Sequence, residues 1–222
     1  MHSKRGIALV VVLLAIAIMT TVGVVIVLTT SAESRIAANF RGAEQALYAA
    51  DAAAERAIDD LRAIDDWNTV IAGAATASFV DGPPSGPRAL DDGSAIELGQ
   101  VVNVANCQKP TACSAADMNA TSEDRPWGLN NPRWKLFAYG RLRSLLAPGS
   151  IDSPYYVVVM TADDPGERDN DPSRDSAPGE AGGGVIALRA EAFGSGGTHR
   201  VVELTVAHAT GGPRLASWRE VR

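Results

Sequence analysis

The feature that most constrains how this chain can fold is a long apolar run close to its N-terminus. No charged residue occurs at positions 6–32, a stretch of 27 residues. As an α-helix, this stretch would measure ~40 Å, which exceeds the ~30 Å hydrocarbon core of a bilayer. The core of an export signal usually has only ~7–15 residues. The run therefore favours a membrane-spanning helix over a cleaved signal peptide or a buried core helix.

Two basic residues, Lys4 and Arg5, precede the apolar run. Positively charged flanking residues tend to stay on the cytoplasmic side of a membrane. They predict a single-pass orientation in which the N-terminus is cytoplasmic and the bulk of the chain lies on the other side of the membrane.

The sequence after the apolar run continues to favour a helix. Residues 33–66 contain no Pro and a single Gly, Gly42. Their apolar residues recur at alternating steps of four and three, the heptad spacing of a helix with one apolar stripe. We therefore predict one helix from about Ile7 to about Asp65, whose later part packs on partner helices, on the protein's own globular domain, or on both through different faces. The stripe comprises Ile36, Phe40, Ala43, Leu47, Ala50, Ala54, Ala57, Leu61 and Ile64.

Four segments in the C-terminal half are rich in β-branched and aromatic residues, which strands favour. Apolar and polar residues alternate along the last two segments, and this pattern predicts a sheet with one dry and one wet face. Because the dry face needs a cover, the predicted fold class is α+β: a long N-terminal α-helix whose C-terminal half packs on an antiparallel β-sheet. The four segments are residues 133–142, 154–161, 185–193 and 200–208.

The charge and the supply of reactive side chains narrow the function. The chain has 20 Lys and Arg against 26 Asp and Glu, a net charge of −6. Because nucleic-acid binding needs a cationic surface, no nucleic-acid partner is expected. Three His and two Cys argue against a Cys/His metal site. The sequence lacks the common hydrolase and phosphate-binding motifs, so we predict that the protein is not an enzyme.

The two cysteines, Cys107 and Cys113, enclose the five residues "QKPTA". Outside the cytoplasmic membrane the environment favours disulfides, so we expect this pair to be bridged, with two free thiols as the alternative. The enclosed loop is short, and the bridge should contribute only ~2 kcal/mol.

Two segments are rich in turn-forming residues and are predicted to be loops. Residues 81–94 contain several Gly and Pro residues, and residues 161–184 are strongly acidic. Oxygen donors at alternating positions of the acidic loop suit a hard cation such as Ca²⁺. The loop lacks the turn Gly and the terminal Glu of a helix-flanked calcium loop, so a solvated acidic loop is the alternative. The donors are Asp169, Asp171, Ser173 and Asp175.

The first 60 residues resemble the start of a type IV pilin. The resemblance lies in a short basic leader ending in Gly, "MHSKRG", and an apolar helix that continues into the rest of the chain. More narrowly, the start "RGIALVVV" and the later stretches "AAN" at 37–39 and "QALYAA" at 45–50 are similar to PilX-type minor pilins.

This resemblance implies that prepilin peptidase cuts between Gly6 and Ile7 and that the new N-terminus, Ile7, is methylated. It divides the chain into a leader at 1–6, a transmembrane and assembly helix at 7–32, an amphipathic continuation at 33–66, and a periplasmic or extracellular sheet domain at 67–222. It also implies residence in the bacterial inner membrane and then in the pilus at the cell surface. The implied partners are other minor pilins, the major pilin and prepilin peptidase, with no cofactor expected apart from the calcium ion considered above.

One position departs from the pattern of major pilins, which carry Glu at the fifth residue after the cut. Here that residue is Val11. A carboxylate in lipid is costly unless it is paired, and in pilins this Glu is thought to meet the N-terminus of a neighbouring subunit. PilX-type pilins and the K-type minor pseudopilins of type II secretion also lack it. Val11 therefore favours a role at the filament tip or in initiation, with a merely lipid-facing side chain as the alternative.

The function predicted from the sequence is that of a minor pilin which takes part in initiating or capping a type IV pilus through its hydrophobic N-terminal helix. One alternative is a minor pseudopilin of a type II secretion system. Another, from a different class, is a single-pass, membrane-anchored periplasmic binding or sensory protein.

Overall fold

The computed structural model of the chain describes residues 3–145, 152–167, 169–176, 180 and 182–221. Its contacts form two compact units, Met1–Gly42 and Ala43–Arg222. The helices are α1 Ser3–Leu61, α2 Asn68–Ile71, α3 Leu98–Cys107 and α4 Ala115–Asn119. The strands are β1 Pro87–Ala89, β2 Ala95–Glu97, β3 Lys135–Arg141, β4 Tyr156–Asp163, β5 Val185–Phe193, β6 His199–Ala209 and β7 Gly212–Val221.

The predicted α+β class is confirmed. Helix α1 begins at Ser3 and contains the entire apolar run, and strands β3 to β7 form one antiparallel sheet in the order of the chain. Each of the four predicted strands is present, with ends that differ by up to two residues from the predicted ends. Residues 1 and 2 of the predicted leader lie outside the described residues.

Within the second unit, the last part of α1 packs on one face of the sheet through small side chains. Six alanines of this segment are buried against strand residues such as Val159, Leu188 and Leu204. Ala has no side chain beyond Cβ, so a row of buried alanines permits close packing of the helix on the sheet. The predicted stripe from Ala50 to Leu61 therefore faces the protein's own sheet. The six alanines are Ala46, Ala49, Ala50, Ala53, Ala54 and Ala57.

Helix α1 ends at Leu61, four residues before its predicted end near Asp65. The next backbone amides bond three residues back, from Arg62 to Asp59 and from Ala63 to Asp60, which tightens the chain into a turn. Trp67 then returns into the core, and its indole N–H donates to the carbonyl oxygen of Leu61 at 3.4 Å. The chain therefore turns after Leu61 so that the large Trp67 side chain is buried. The heptad pattern carries no information about this turn.

The opposite face of the sheet is not uniformly wet, contrary to the simplest interpretation of the alternation. Helix α3 covers part of it, and a second apolar cluster joins Leu98 and Val101 to Tyr156, Val158 and Met160. Strand β4 is consequently buried along all of its eight residues. The sheet is therefore the middle layer between α1 and α3.

Helices α2, α3 and α4 were not predicted, and neither were two strand elements. Strand β7 follows a tight turn at Thr210 and Gly211 and pairs with β6, as in the pair Leu204–Trp218. Strands β1 and β2 form a short antiparallel pair, and β1 lies within the predicted loop at 81–94. Both were missed because polar and apolar residues in these segments do not alternate cleanly.

Candidate functional site

The first candidate functional surface is the apolar part of α1, which exposes its side chains all round. Every large apolar residue from Ile7 to Leu28 is more than half exposed, and Val11 is 58% exposed. The helix is long and apolar enough to cross a bilayer. An apolar surface of this extent needs lipid or other apolar helices around it.

The side-chain hydroxyl groups of residues 7–32 are all turned back to the helix backbone. Thr20 Oγ1 donates to the carbonyl oxygen of Ile16 at 2.9 Å, and Ser31 Oγ donates to that of Val27 at 2.9 Å. Thr21, Thr29 and Thr30 make the same kind of bond. These polar groups are therefore satisfied within the helix and do not oppose its burial in lipid or in a helical bundle.

The residues predicted for processing lie at the start of this surface. The Gly6–Ile7 bond lies in the first turns of α1, and the Ile7 side chain is exposed. Cleavage after Gly6 and methylation of Ile7 stay predictions. The side chain at the fifth position after that bond is Val11, so α1 presents apolar surface where a major pilin presents a carboxylate.

A long apolar N-terminal helix whose later part packs on an antiparallel sheet defines the class of pilin-like α+β proteins. Within this class, residues 5–55 match the family model described as PilX N-terminal. That match makes the N-terminal quarter of the chain similar to PilX-type type IV pilins and supports a role of the minor-pilin kind in a type IV pilus. No curated protein and no solved structure matches the chain. The apolar helix and the family match support membrane anchoring and association with other pilus components.

The matched segment includes the apolar run and the stretch "QALYAA", but it ends before α1 does. Helices α2 to α4 and all seven strands lie beyond residue 55. What distinguishes this protein from other members of its class must therefore be sought in features of residues 56–222.

One such feature is the disulfide between Cys107 and Cys113, whose Cα atoms are 6.0 Å apart. It joins the last residue of α3 to the segment just before α4. Gln108, the first enclosed residue, has a positive φ of 59° and ends α3 in a left-handed conformation. Ser114 and Asp117 then form a capping box at the start of α4. The bridge thus fixes the turn between two helices.

The acidic loop begins where β4 ends, and the structure brings together a different set of carboxylates from the predicted one. Asp163, Glu167 and Asp169 each offer an oxygen atom, and these oxygens lie within 4.8 Å of one another. Of the predicted calcium ligands, only Asp169 belongs to this group. Asp171 accepts hydrogen bonds from Ser173, and Asp175 accepts one from the Gly184 amide at 2.8 Å. The predicted alternating set stays an untested prediction.

Burial makes the charged forms of these groups costly. Desolvation raises the pKa of Asp163 to about 8, and the nearby charges of Glu167, Asp169 and Asp175 contribute to the rise. Burial also raises the pKa of Asp164 and of Glu167. Glu167 gains some compensation, because the hydroxyl of Ser176 donates to its carboxylate at 2.8 Å.

A second charged cluster occupies the sheet face that α3 leaves uncovered. Arg189 lies between Glu191, at 2.6 Å, and Glu203, at 2.7 Å, and Arg219 also pairs with Glu203. His199 Nε2 lies 2.8 Å from Glu191, which is 4% exposed. Burial alone would raise the pKa of Glu191, but the His199 hydrogen bond and the Arg189 charge outweigh it and lower the pKa. These side chains neutralise one another, which is a structural role.

Sequence patterns point to these residues only in part. Asp163 and Glu167 belong to the acidic run, but their convergence depends on the path of the chain after β4, which spacing does not reveal. Arg189, Glu191 and Glu203 were assigned to a wet face by alternation; the structure buries much of them as paired charges. Arg125 donates to the carbonyl oxygens of Ala105, Met118 and Pro132, and no sequence pattern predicts such a role.

Proposed function

We propose that this protein is a minor pilin that takes part in initiating or capping the assembly of a type IV pilus. The observation that carries the proposal is the fully exposed apolar surface of α1, on which Val11 replaces the carboxylate of shaft-forming pilins. A subunit of this kind can pack beside other pilin helices but cannot offer a neighbour that ionic contact.

The physical step in this function is the transfer of α1 from lipid into a bundle of pilin helices. Lipid tails and apolar helices are similarly hydrophobic, so the transfer depends on close packing and not on the hydrophobic effect. Small residues at Ala15, Ala17 and Gly23 allow helices to approach closely. The proposed neighbours are other minor pilins and the major pilin, and prepilin peptidase is the proposed processing enzyme.

In this proposal the protein first resides in the inner membrane as a single-pass protein with a cytoplasmic N-terminus. It reaches the cell surface when the pilus extends, and the sheet domain then contacts neighbouring subunits. Assembly of this kind needs packing surfaces and no catalysis, so we infer that the protein is not an enzyme.

The proposal is tested by removing the gene from its native host and labelling the epitope-tagged protein in restored cells by immunogold electron microscopy. We expect surface pili to become at least ~10-fold fewer without the protein, and restored pili to carry label at their ends. Label distributed evenly along filaments would instead assign it to the shaft. Normal piliation together with a defect in protein secretion would favour the pseudopilin alternative.

A further inference from the structure

We propose that Asp163, Glu167 and Asp169 form a calcium-binding site at the end of strand β4. The site is separate from the apolar helix surface, and the inference does not depend on the proposed role in pilus assembly. It differs from the alternating loop set, with which it shares Asp169 alone.

The three carboxylates have the spacing that a single calcium ion needs. Their oxygen atoms lie within 4.8 Å of one another. Calcium binds oxygen ligands at ~2.3–2.6 Å, so two ligands on opposite sides of one ion are separated by ~4.6–5.2 Å. One ion placed among the three can therefore contact an oxygen of each residue.

Asp163 provides the second, independent observation. Its residue is 3% exposed, and among the residues that the structure describes its buried Oδ1 atom has no hydrogen-bond partner. A buried carboxylate oxygen in this situation loses its hydration and gains nothing in return. A bound cation at this atom would supply the missing interaction. The cluster is thus more than a group of exposed acids.

Two of the three ligands are held in place before any ion binds. Asp163 is part of β4 and pairs with Ile186 of β5. Glu167 is 9% exposed and accepts hydrogen bonds from the amide and the hydroxyl of Ser176. Gly182 lies against it so closely that a Cβ there would be 2.5 Å from the Glu167 Cγ atom. Asp169 is exposed and leaves the site open to solvent.

The chemistry of the donors favours calcium. Three carboxylates without nitrogen or sulfur ligands select hard cations. Magnesium demands near-ideal octahedral geometry at ~2.0–2.1 Å, whereas calcium accepts irregular sets of carboxylates, carbonyls and water. The three carboxylates lie at the end of a strand and in an irregular loop, and such an arrangement suits the irregular coordination of calcium.

The test uses the full-length protein in detergent micelles and measures calcium binding by calorimetry and thermal unfolding by tryptophan fluorescence. We expect one calcium ion per chain and, at ~100 times the dissociation constant, a melting temperature raised by ~5–10 °C. Asp163→Asn and Glu167→Gln should each weaken binding at least ~10-fold. Asp163→Asn should also melt at or above the temperature of the calcium-free wild type, because the amide fits the same space and cannot ionise in this buried position; such a result shows that its loss of binding is not a loss of folding.

Asp171→Asn is the matched control, since it makes the same change in the same loop outside the cluster. We expect it to bind calcium as the wild type does. The proposal is overturned if the wild type gains no stability in ~10 mM calcium beyond that given by sodium chloride of equal ionic strength. It is also overturned if magnesium stabilises as much as calcium, or if Asp171→Asn abolishes binding while Asp163→Asn retains it.

Discussion

Gly6 carries the most direct prediction at the scale of single residues. Co-expression with a prepilin peptidase should remove the first six residues and leave Ile7 as the methylated N-terminus. Gly6→Val should block the cut, because a branched side chain next to the scissile bond obstructs the approach of the enzyme. Mass spectrometry of the purified protein measures both the truncation and the added methyl group.

Gly23→Val is the matched control for this experiment. It makes the same substitution within α1, where an added Cβ atom has no neighbouring atom within 4 Å. Processing of this variant should equal that of the wild type. If the wild-type chain keeps its first six residues beside an active peptidase, the protein is a plain membrane anchor and not a processed pilin.

Arg189 carries a second prediction at this scale. Replacement with Met leaves the buried carboxylate of Glu191 without its arginine and deprives Glu203 of one of its two. Removing one member of a buried ion pair costs ~3–5 kcal/mol, so we expect a decrease of about 3 kcal/mol in the free energy of unfolding. Urea titration of the full-length protein in micelles, followed by tryptophan fluorescence, measures this change.

The control is Arg200→Met, because Arg200 is partly exposed and lies 3.5 Å from Glu220. An exposed pair of this kind contributes at most ~1 kcal/mol. Equal destabilisation by the two substitutions would contradict the assignment of Arg189 as the centre of the buried network.

At the scale of secondary-structure elements, the packing of α1 on the sheet depends on small side chains. Ala54 is fully buried in this contact. Ala54→Leu should force the helix away from the sheet and lower the free energy of unfolding by ~1–3 kcal/mol. Ala52 is exposed on the same helix, so Ala52→Leu should change stability by no more than ~0.5 kcal/mol. If the Leu at position 54 is tolerated as well as the one at 52, the helix and the sheet are not closely packed.

The same helix shows how much of the fold the sequence could predict. Its apolar run and the heptad stripe through Ala50, Ala54 and Leu61 are periodic, and periodicity predicts both the helix and its buried face. Its end at Leu61 depends on the return of Trp67 into the core, which is a tertiary contact. Strand β7 has a mostly exposed surface, and exposed strands lack a strong alternating pattern.

Some of the candidate sites could be predicted from the sequence, and others depend on the fold. The cleavage bond and Val11 are local features and could be found by their position in the sequence. The cluster of Asp163, Glu167 and Asp169 forms only when the chain turns after β4, so the acidic composition could be recognised but not the three converging residues. Composition is enough to locate the acidic loop, but the folded path of the chain decides which of its carboxylates lie close together.

At the scale of the whole molecule, the structure has two units, one with the apolar surface for assembly and one with a packed core. The segment matched to PilX-type pilins carries the apolar surface that every pilin needs to assemble. The second unit has its own layered core, to which the last part of α1 contributes, and its disulfide and acidic cluster lie beyond residue 55. Changes in the apolar part of α1 should therefore alter where the protein is found in the filament, while changes in the second unit, its part of α1 included, should alter stability and ion binding.

Val11 permits a test of this division. Val11→Glu restores the carboxylate that shaft subunits present at the fifth residue after the cut. If its absence restricts this protein to the ends of filaments, the variant should be found along the shaft, with several times more copies per pilus. Immunogold labelling and quantitative blotting of sheared pili measure the distribution and the number of copies.

Val12→Glu provides the control, because it places the same charge one residue further along the helix, about 100° around its axis. Both variants bear the cost of a carboxylate in lipid, but only position 11 matches the position at which major pilins carry Glu. Val12→Glu should therefore reduce the amount of protein in pili without moving the remainder to the shaft. If the two variants behave alike, the effect is a general cost of charge in α1, and Val11 does not determine where the subunit is placed.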